Sequence, residues 1–204
     1  NFLKALEFYH VALKIRVEIG DESDIANSYN NIGFSYFHLG NYGKALEYFS
    51  SSLKIREKYG NKKDIADSHS SIAALYSKKS DYEKALESLF SSLKKNEEIG
   101  DKKGIAQAHQ NIGDVYLMQN NLTAAEKQLN LALKYAREIG SKKDLKKIYE
   151  LLSSSFSSSG NWKKAFEYHK LSSLTNDSVF NEESSRQIAE MQTKYETEKK
   201  ENEN

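Results

Sequence analysis

The sequence repeats itself every forty residues, and that period decides what the chain can fold into. Gly20, Gly60, Gly100 and Gly140 carry it, as do Asn1, Asn41, Asp81, Asn121 and Asn161. Ala5, Ala45, Ala85, Ala125 and Ala165 keep the same step, and so do Tyr36, Tyr76, Tyr116 and Phe156. A unit of this length cannot bury its apolar face alone, so neighbouring units must stack and share a strip of core. The period therefore overrides the one or two globular domains that 204 residues would ordinarily imply.

Within a unit, apolar residues fall at helical spacing. Ile25, Tyr29, Ile32, Gly33 and Tyr36 form one stripe, helix A; Tyr42, Ala45, Leu46, Phe49, Leu53 and Ile55 or Arg56 form a second, helix B. Helix A is expected to be capped by Asp24, Asp64 or Asp144, with Gly104 standing in at that phase. Helix B is expected to be capped by Asn41 and its equivalents, and to end at a left-handed Gly60. The phases give a leading helix B at 1–19 and then four A–B pairs. The leading helix is expected to expose Phe2, Leu3 and Leu6 unless an upstream helix A covers them. Gly33, Ala73, Gly113 and Ser153 are small where helix A meets helix B, and the alanines at 45, 85, 125 and 165 answer them. The serine-rich run 153–159 has the composition of a linker, but Ser153 and Phe156 fall in packing slots, so it reads as a helix A.

Composition and motifs exclude several functions. The net charge is +1 and no basic stripe stands out, which argues against nucleic acid. No apolar run approaches the ~18 residues a membrane helix needs. Without cysteine there is no disulfide, thiolate nucleophile or Cys-ligated zinc. No two of the five histidines have the i, i+4 spacing of a metal pair, and His69 and His109 fall on the packed side of helix A. No strand is predicted to hold a nucleophile elbow, and Gly-rich phosphate loops are missing. No catalytic residue, metal or cofactor is expected.

The residues also carry a resemblance. Ile32-Gly33, Tyr36, Gly40-Asn41-Tyr42, Lys44-Ala45-Leu46-Glu47-Tyr48 and Leu53 resemble the tetratricopeptide repeat signature. Ser80-Asp81-Tyr82 with Lys84-Ala85-Leu86-Glu87, and Gly160-Asn161-Trp162 with Lys164-Ala165-Phe166, repeat it. The common repeat is roughly 34 residues, and helix B here lacks its usual closing proline. The segments Glu18-Ile19-Gly20-Asp21 and Glu98-Ile99-Gly100-Asp101-Lys102-Lys103-Gly104-Ile105-Ala106 resemble the long-repeat subfamily. The resemblance implies an all-α, right-handed superhelical solenoid of antiparallel helix pairs over residues 1–175, with 176–204 as a C-terminal capping or signalling helix. It further implies a non-catalytic module that binds a protein or an extended peptide.

At ~100° per residue, Asn27, Asn30, Asn31, Phe34, Phe37 and His38 share one arc of helix A. The same arc holds Ser70 and Ser71 in the next repeat, then Gln107, Gln110, Asn111 and Asp114. The resemblance places this arc on the concave surface. Amides offer both a donor and an acceptor, which suits a peptide backbone. Related arrays use an Asn at the phase of Asn31 and Asn111 in that way. A clamp for a C-terminal carboxylate is not favoured, because Asp67, Asp114 and Glu150 outnumber Lys78 and Lys147 here.

Beyond residue 175 the period breaks. Asp177 is placed to cap a last helix, and Ile188, Met191 and Tyr195 are spaced as a short coiled-coil seam that could pair two copies. The alternative is a helix that shields the last repeat from water. Residues 187–201 are similar to the junction that follows such arrays in bacterial membrane signalling proteins. That similarity implies the extracytoplasmic sensor region of a histidine kinase or related regulator. A free-standing cytoplasmic adaptor is the alternative. So is a peptide-responsive regulator of a signalling enzyme, similar to the bacterial response-regulator phosphatases.

Overall fold

The computed structural model describes residues 2–175 and 182–202, and the side chains of 182–188, 198, 201 and 202 are outside that description. The described residues form ten helices. These are α1 (Phe2–Ile19), α2 (Glu22–His38), α3 (Tyr42–Tyr59), α4 (Lys62–Lys78), α5 (Tyr82–Ile99), α6 (Lys102–Met118), α7 (Leu122–Glu138), α8 (Lys142–Ser158), α9 (Trp162–Leu174) and α10 (Glu182–Asn202). They divide into two compact units, residues 1–104 and residues 105–204. The first holds α1 to α5 and the second α6 to α10, with the division just inside α6.

An acceptor side chain starts a helix at every twentieth residue. Asp21 accepts from the Asp24 N–H at 3.0 Å, Asn41 from Lys44 at 3.2 Å, and Asn61 from Asp64 at 2.9 Å. Asp81, Asp101, Asn121, Ser141 and Asn161 do the same for the helices that follow. This corrects the expected caps on helix A. Asp24, Asp64 and Asp144 sit three residues inside the helix, where a carboxylate favours the positive N-terminal end. Asp144 there also accepts the Ser141 hydroxyl at 2.6 Å, a side-chain bond beside the cap that the Asp144 N–H makes to Ser141 Oγ at 3.4 Å.

Most helices end through a left-handed residue: Gly20, Gly40, Gly100, Gly140 and Gly160 all have φ between 65° and 82°. The following N–H then reaches back to close the turn, as Asn41 does to Tyr36 O at 2.9 Å. Gly60 is the exception to the expectation, with φ −85° and ψ 169°. Glycine is still required there, because a Cβ would lie 2.6 Å from the Arg56 carbonyl oxygen. Ser80 and Asn120 occupy the left-handed position without being glycine, at φ 60° and 57°. A Cβ in that region strains the backbone by about 1 kcal/mol. Ser80→Gly should therefore raise the thermal midpoint of the chain, by calorimetry, where the same change at exposed Ser51 in mid-helix lowers it.

The small residues work as the repeat predicts. Ala45, Ala85, Ala125 and Ala165 are all fully buried. A Cβ on Gly33 would come within 2.7 Å of the Phe49 ring, and one on Gly113 within 2.7 Å of Leu129. In the first unit Ala45, Phe49, Ile72 and Leu75 form a core sheathed by Tyr36, Tyr42, Leu53 and Tyr76. In the second, Leu129, Leu133, Ile148, Leu152 and Phe156 form another. The serine-rich run belongs to α8 as read: Ser153 is buried, and its hydroxyl donates to Ala165 O at 2.9 Å.

At the leading edge, Phe2 and Leu3 are exposed as expected, but Leu6 is buried. Leu6 holds the phase of Leu46, on the side of helix B that faces the following pair. At the other end, α10 packs on α9. Met191 lies against the second core, and the Lys194 ammonium sits 4.2 Å above the Trp162 ring. Asp177 lies outside the described residues, and so does the side chain of Ile188. Tyr195 is half-buried.

Candidate peptide-binding face

In the first unit, α2 and α4 are neighbours and bring the predicted arc residues side by side. Asn27 is exposed, but its side-chain oxygen already accepts from Arg56 Nη2 at 2.8 Å. Asn30 is half-buried, and its side-chain oxygen is buried with no partner. Asn31, one position on, is half-buried and its amide makes no hydrogen bond within the described residues. An unpaired buried acceptor costs about 1–3 kcal/mol, and the Asn30 oxygen is closed off from the face, so the open group here is the Asn31 amide. Phe34 leaves half its surface exposed at 51%. It meets His38 edge-on at 4.3 Å, and Phe2 stacks on His38 at 4.6 Å.

On α4 the hydroxyls are internally engaged. Ser70 pairs with Ser92 of α5 at 2.9 Å, and Ser71 donates to the Asp67 carbonyl at 3.0 Å. Partial burial raises the Asp67 carboxyl above its ordinary value, although Arg56 pulls it down. In the second unit, α6 carries Gln107 exposed and Gln110, Asn111 and Asp114 half-buried. The amides of Gln107, Gln110 and Asn111 make no hydrogen bond within the described residues. Each unit's arc is therefore amide-rich, the first also apolar at Phe34, with donors and acceptors left open. Among the described residues no cluster of His, Asp or Glu could hold a metal ion.

Sequence reasoning placed Arg56 on the helix B stripe only as an alternative to Ile55, and missed that it ties the first unit's arc to its core. Arg56 is buried near the end of α3 and donates through Nη1 to Asp64 O at 3.1 Å and Ser68 Oγ at 2.9 Å. Through Nη2 it holds Asn27, so one guanidinium joins α2, α3 and α4. Arg16 repeats the arrangement, donating to Asp24 O at 3.3 Å and Ser28 Oγ at 2.7 Å. The signal was present in the repeat as paired positions. Arg16 goes with Ser28 and Arg56 with Ser68, then Asn96 with Ala108 and Ala136 with Ile148. The polar couple turns apolar along the chain. Gly104 belongs to the same pattern: the Asn96 amide fills the space that a Cβ at 104 would need.

The sequence profile of the tetratricopeptide repeat matches residues 1–58, 24–98 and 64–138. No curated protein matches the chain. Solved structures do. BtubC from P. vanneervenii is 20% identical with a TM-score of 0.76, over 88% of this chain and 76% of its own. Aspartyl phosphate phosphatase F from Bacillus subtilis is 19% identical with a TM-score of 0.79, over 85% of this chain and 45% of its own. A signal transduction ATPase with a tetratricopeptide repeat sensor, from Pyrococcus horikoshii, is 24% identical with a TM-score of 0.69, over 76% of this chain and 24% of its own. The chain thus spans under half of the phosphatase and about a quarter of the ATPase. Similarity at this level concerns the fold, which is generally a non-catalytic scaffold for protein interaction. The profile covers two thirds of the sequence and the capped helix pairs continue past it at the same step, so the chain belongs to the tetratricopeptide repeat family, in its forty-residue form.

Proposed function

We propose that this chain is a non-catalytic receptor module that takes an extended polypeptide along the helix-A arc. Its open amides would bond the backbone of the ligand. The observation that carries this reading is the open amide of Asn31 beside the exposed ring of Phe34. Asn111 offers the same group at the same phase in the second unit. Peptides selected on the immobilised chain from a random displayed library should bind about tenfold more weakly to Asn31→Ala or Asn111→Ala, since one such hydrogen bond contributes roughly 1–1.5 kcal/mol. Helix content by circular dichroism should not change. Equal affinity for wild type and both variants would reject the reading.

The same proposal extends to context. The module would be the sensor region of a bacterial signal-transduction protein, outside the cytoplasm, with α10 leading on toward the membrane. Two features support it: the tail sequence and the likeness to a chain whose repeats are a sensor. Among the described residues no helix is long and apolar enough to cross a membrane, so the anchor would lie in the parent gene. That gene should encode an apolar stretch of ~20 residues soon after this segment. A stop codon there, with no export signal upstream, would point instead to a cytoplasmic adaptor.

A further inference from the structure

Helix B covers helix A with one side chain at a fixed phase, and the second pair leaves that side chain out. In the first pair Tyr48 of α3 stacks on Tyr36, with centroids 5.6 Å apart and planes at 16°, and meets Tyr29 at 5.9 Å. In the fourth pair Tyr168 of α9 stacks on Phe156 at 5.5 Å and 3°, and meets Tyr149 at 6.1 Å. In the third pair Gln128 holds the position, its side-chain oxygen 2.7 Å from His109 Nδ1. In the second pair the residue at this phase is Ser88.

His69 and Tyr76 stand where Tyr29 and Tyr36 stand, and above them is an open cleft of about 250 Å³ between α3, α4 and α5. Leu46, Leu53 and Ile72 are its apolar walls, and Ser50 and Ser88 border it. An apolar cavity of roughly 150 Å³ already takes a benzene ring. The Lys84 ammonium lies 5.5 Å over Tyr76, as Lys44 lies 5.0 Å over Tyr36 and Lys164 lies 4.7 Å over Phe156. The lysine of the stack is thus in place in the second pair, and only the second ring is missing. Lys84 is itself held by Asp81 at 2.8 Å and Glu87 stands at the rim, so the ammonium is already neutralised and one carboxylate is left over at the edge of the cleft. Burial pushes the His69 imidazole below its ordinary value, which keeps that wall neutral.

We propose that this cleft is a receptor slot for one aromatic side chain, a tyrosine or phenylalanine presented by a bound polypeptide. That ring would complete the stack that Tyr48 and Tyr168 complete in their own pairs. The cleft opens on a furrow between two B helices with hydroxyls and charges at its rim, which lets a peptide backbone run past while one ring inserts. The slot is separate from the helix-A arc, so its occupancy does not depend on binding there.

The test is an amide NMR titration of the whole 204-residue chain with N-acetyl-tyrosinamide and, separately, with p-cresol. Both should shift the signals of His69, Tyr76 and Ser88 to saturation. Ser88→Tyr fills the slot as in the first pair, and Ser88→Gln as in the third. Each should weaken both ligands about tenfold or more. No saturable shift at these residues, or shifts that survive in both variants, would overturn the slot. Binding of p-cresol without N-acetyl-tyrosinamide would overturn its assignment to a polypeptide and leave a site for a free aromatic compound.

Discussion

Phe49→Ala is expected to destabilise the first unit by about 3–5 kcal/mol, the range for removing a fully buried phenyl ring. Phe49 is 2% exposed and fills the space left by Gly33 on α2. Because the ring and the glycine are complementary, the reverse change should also be costly. A Cβ at 33 would lie 2.7 Å from one ring carbon and 2.9 Å from another, and overpacking of this kind costs about 1–3 kcal/mol. The second pair shows how the clash can be relieved: it holds Ala73 and Leu89 at these phases, both buried. Gly33→Ala combined with Phe49→Leu should therefore lose less than the sum of the two single changes. Native-state hydrogen exchange of the α2 and α3 amides reads the effect within the unit. Strict additivity of the two substitutions would refute this packing account.

Arg56→Ala should cost about 2–3 kcal/mol, within the range for hydrogen bonds made by a charged group. The loss has three parts: Asp64 O, Ser68 Oγ and Asn27 Oδ1 each lose a donor. Replacing Ser68 as well should recover much of it. Arg56→Ala with Ser68→Ile copies Ala136 and Ile148, which are fully buried in the second core. Removing both partners of a buried polar contact and substituting an apolar one of suitable size is often near neutral. Exchange protection in α3 and α4 should drop in the single variant and return in the double. If the double is no better than the single, the polar and apolar couples are not alternatives for one packing task. The double variant also releases Asn27 from Arg56, and so separates the arc's binding role from its structural one.

What the repeat period made legible was the helix pairs, their order and the small residues at their contacts, because each depends on spacing alone. The cap on helix A was misplaced by three residues for a physical reason. Asp21 and Asp24 are both acceptors, and either could start a helix by type; only the backbone path decides which one faces the free N–H. Gly60 was recognised as necessary but for the wrong cause, since close approach to Arg56 O and a left-handed φ both select glycine. The arc was legible as a set of phases, but not which members are free. Asn27, Ser70 and Ser71 turned out to be engaged by Arg56, Ser92 and the Asp67 carbonyl, and those partners lie on other helices or one turn back. The cleft beside Ser88 depends on a side chain that is small where its counterparts are large, and that difference carries meaning only once the stack around Tyr48 is seen.

The most direct test of peptide binding on the helix-A arc is to observe the Asn31 and Asn111 side-chain NH₂ signals by ¹⁵N NMR as a library-selected peptide is added. Binding to the first unit's arc predicts that the Asn31 signal moves to saturation together with those of the Phe34 ring, and binding to the second unit's arc predicts the same of Asn111. Saturable shifts confined to the B helices, with the asparagine side chains unmoved, would contradict it.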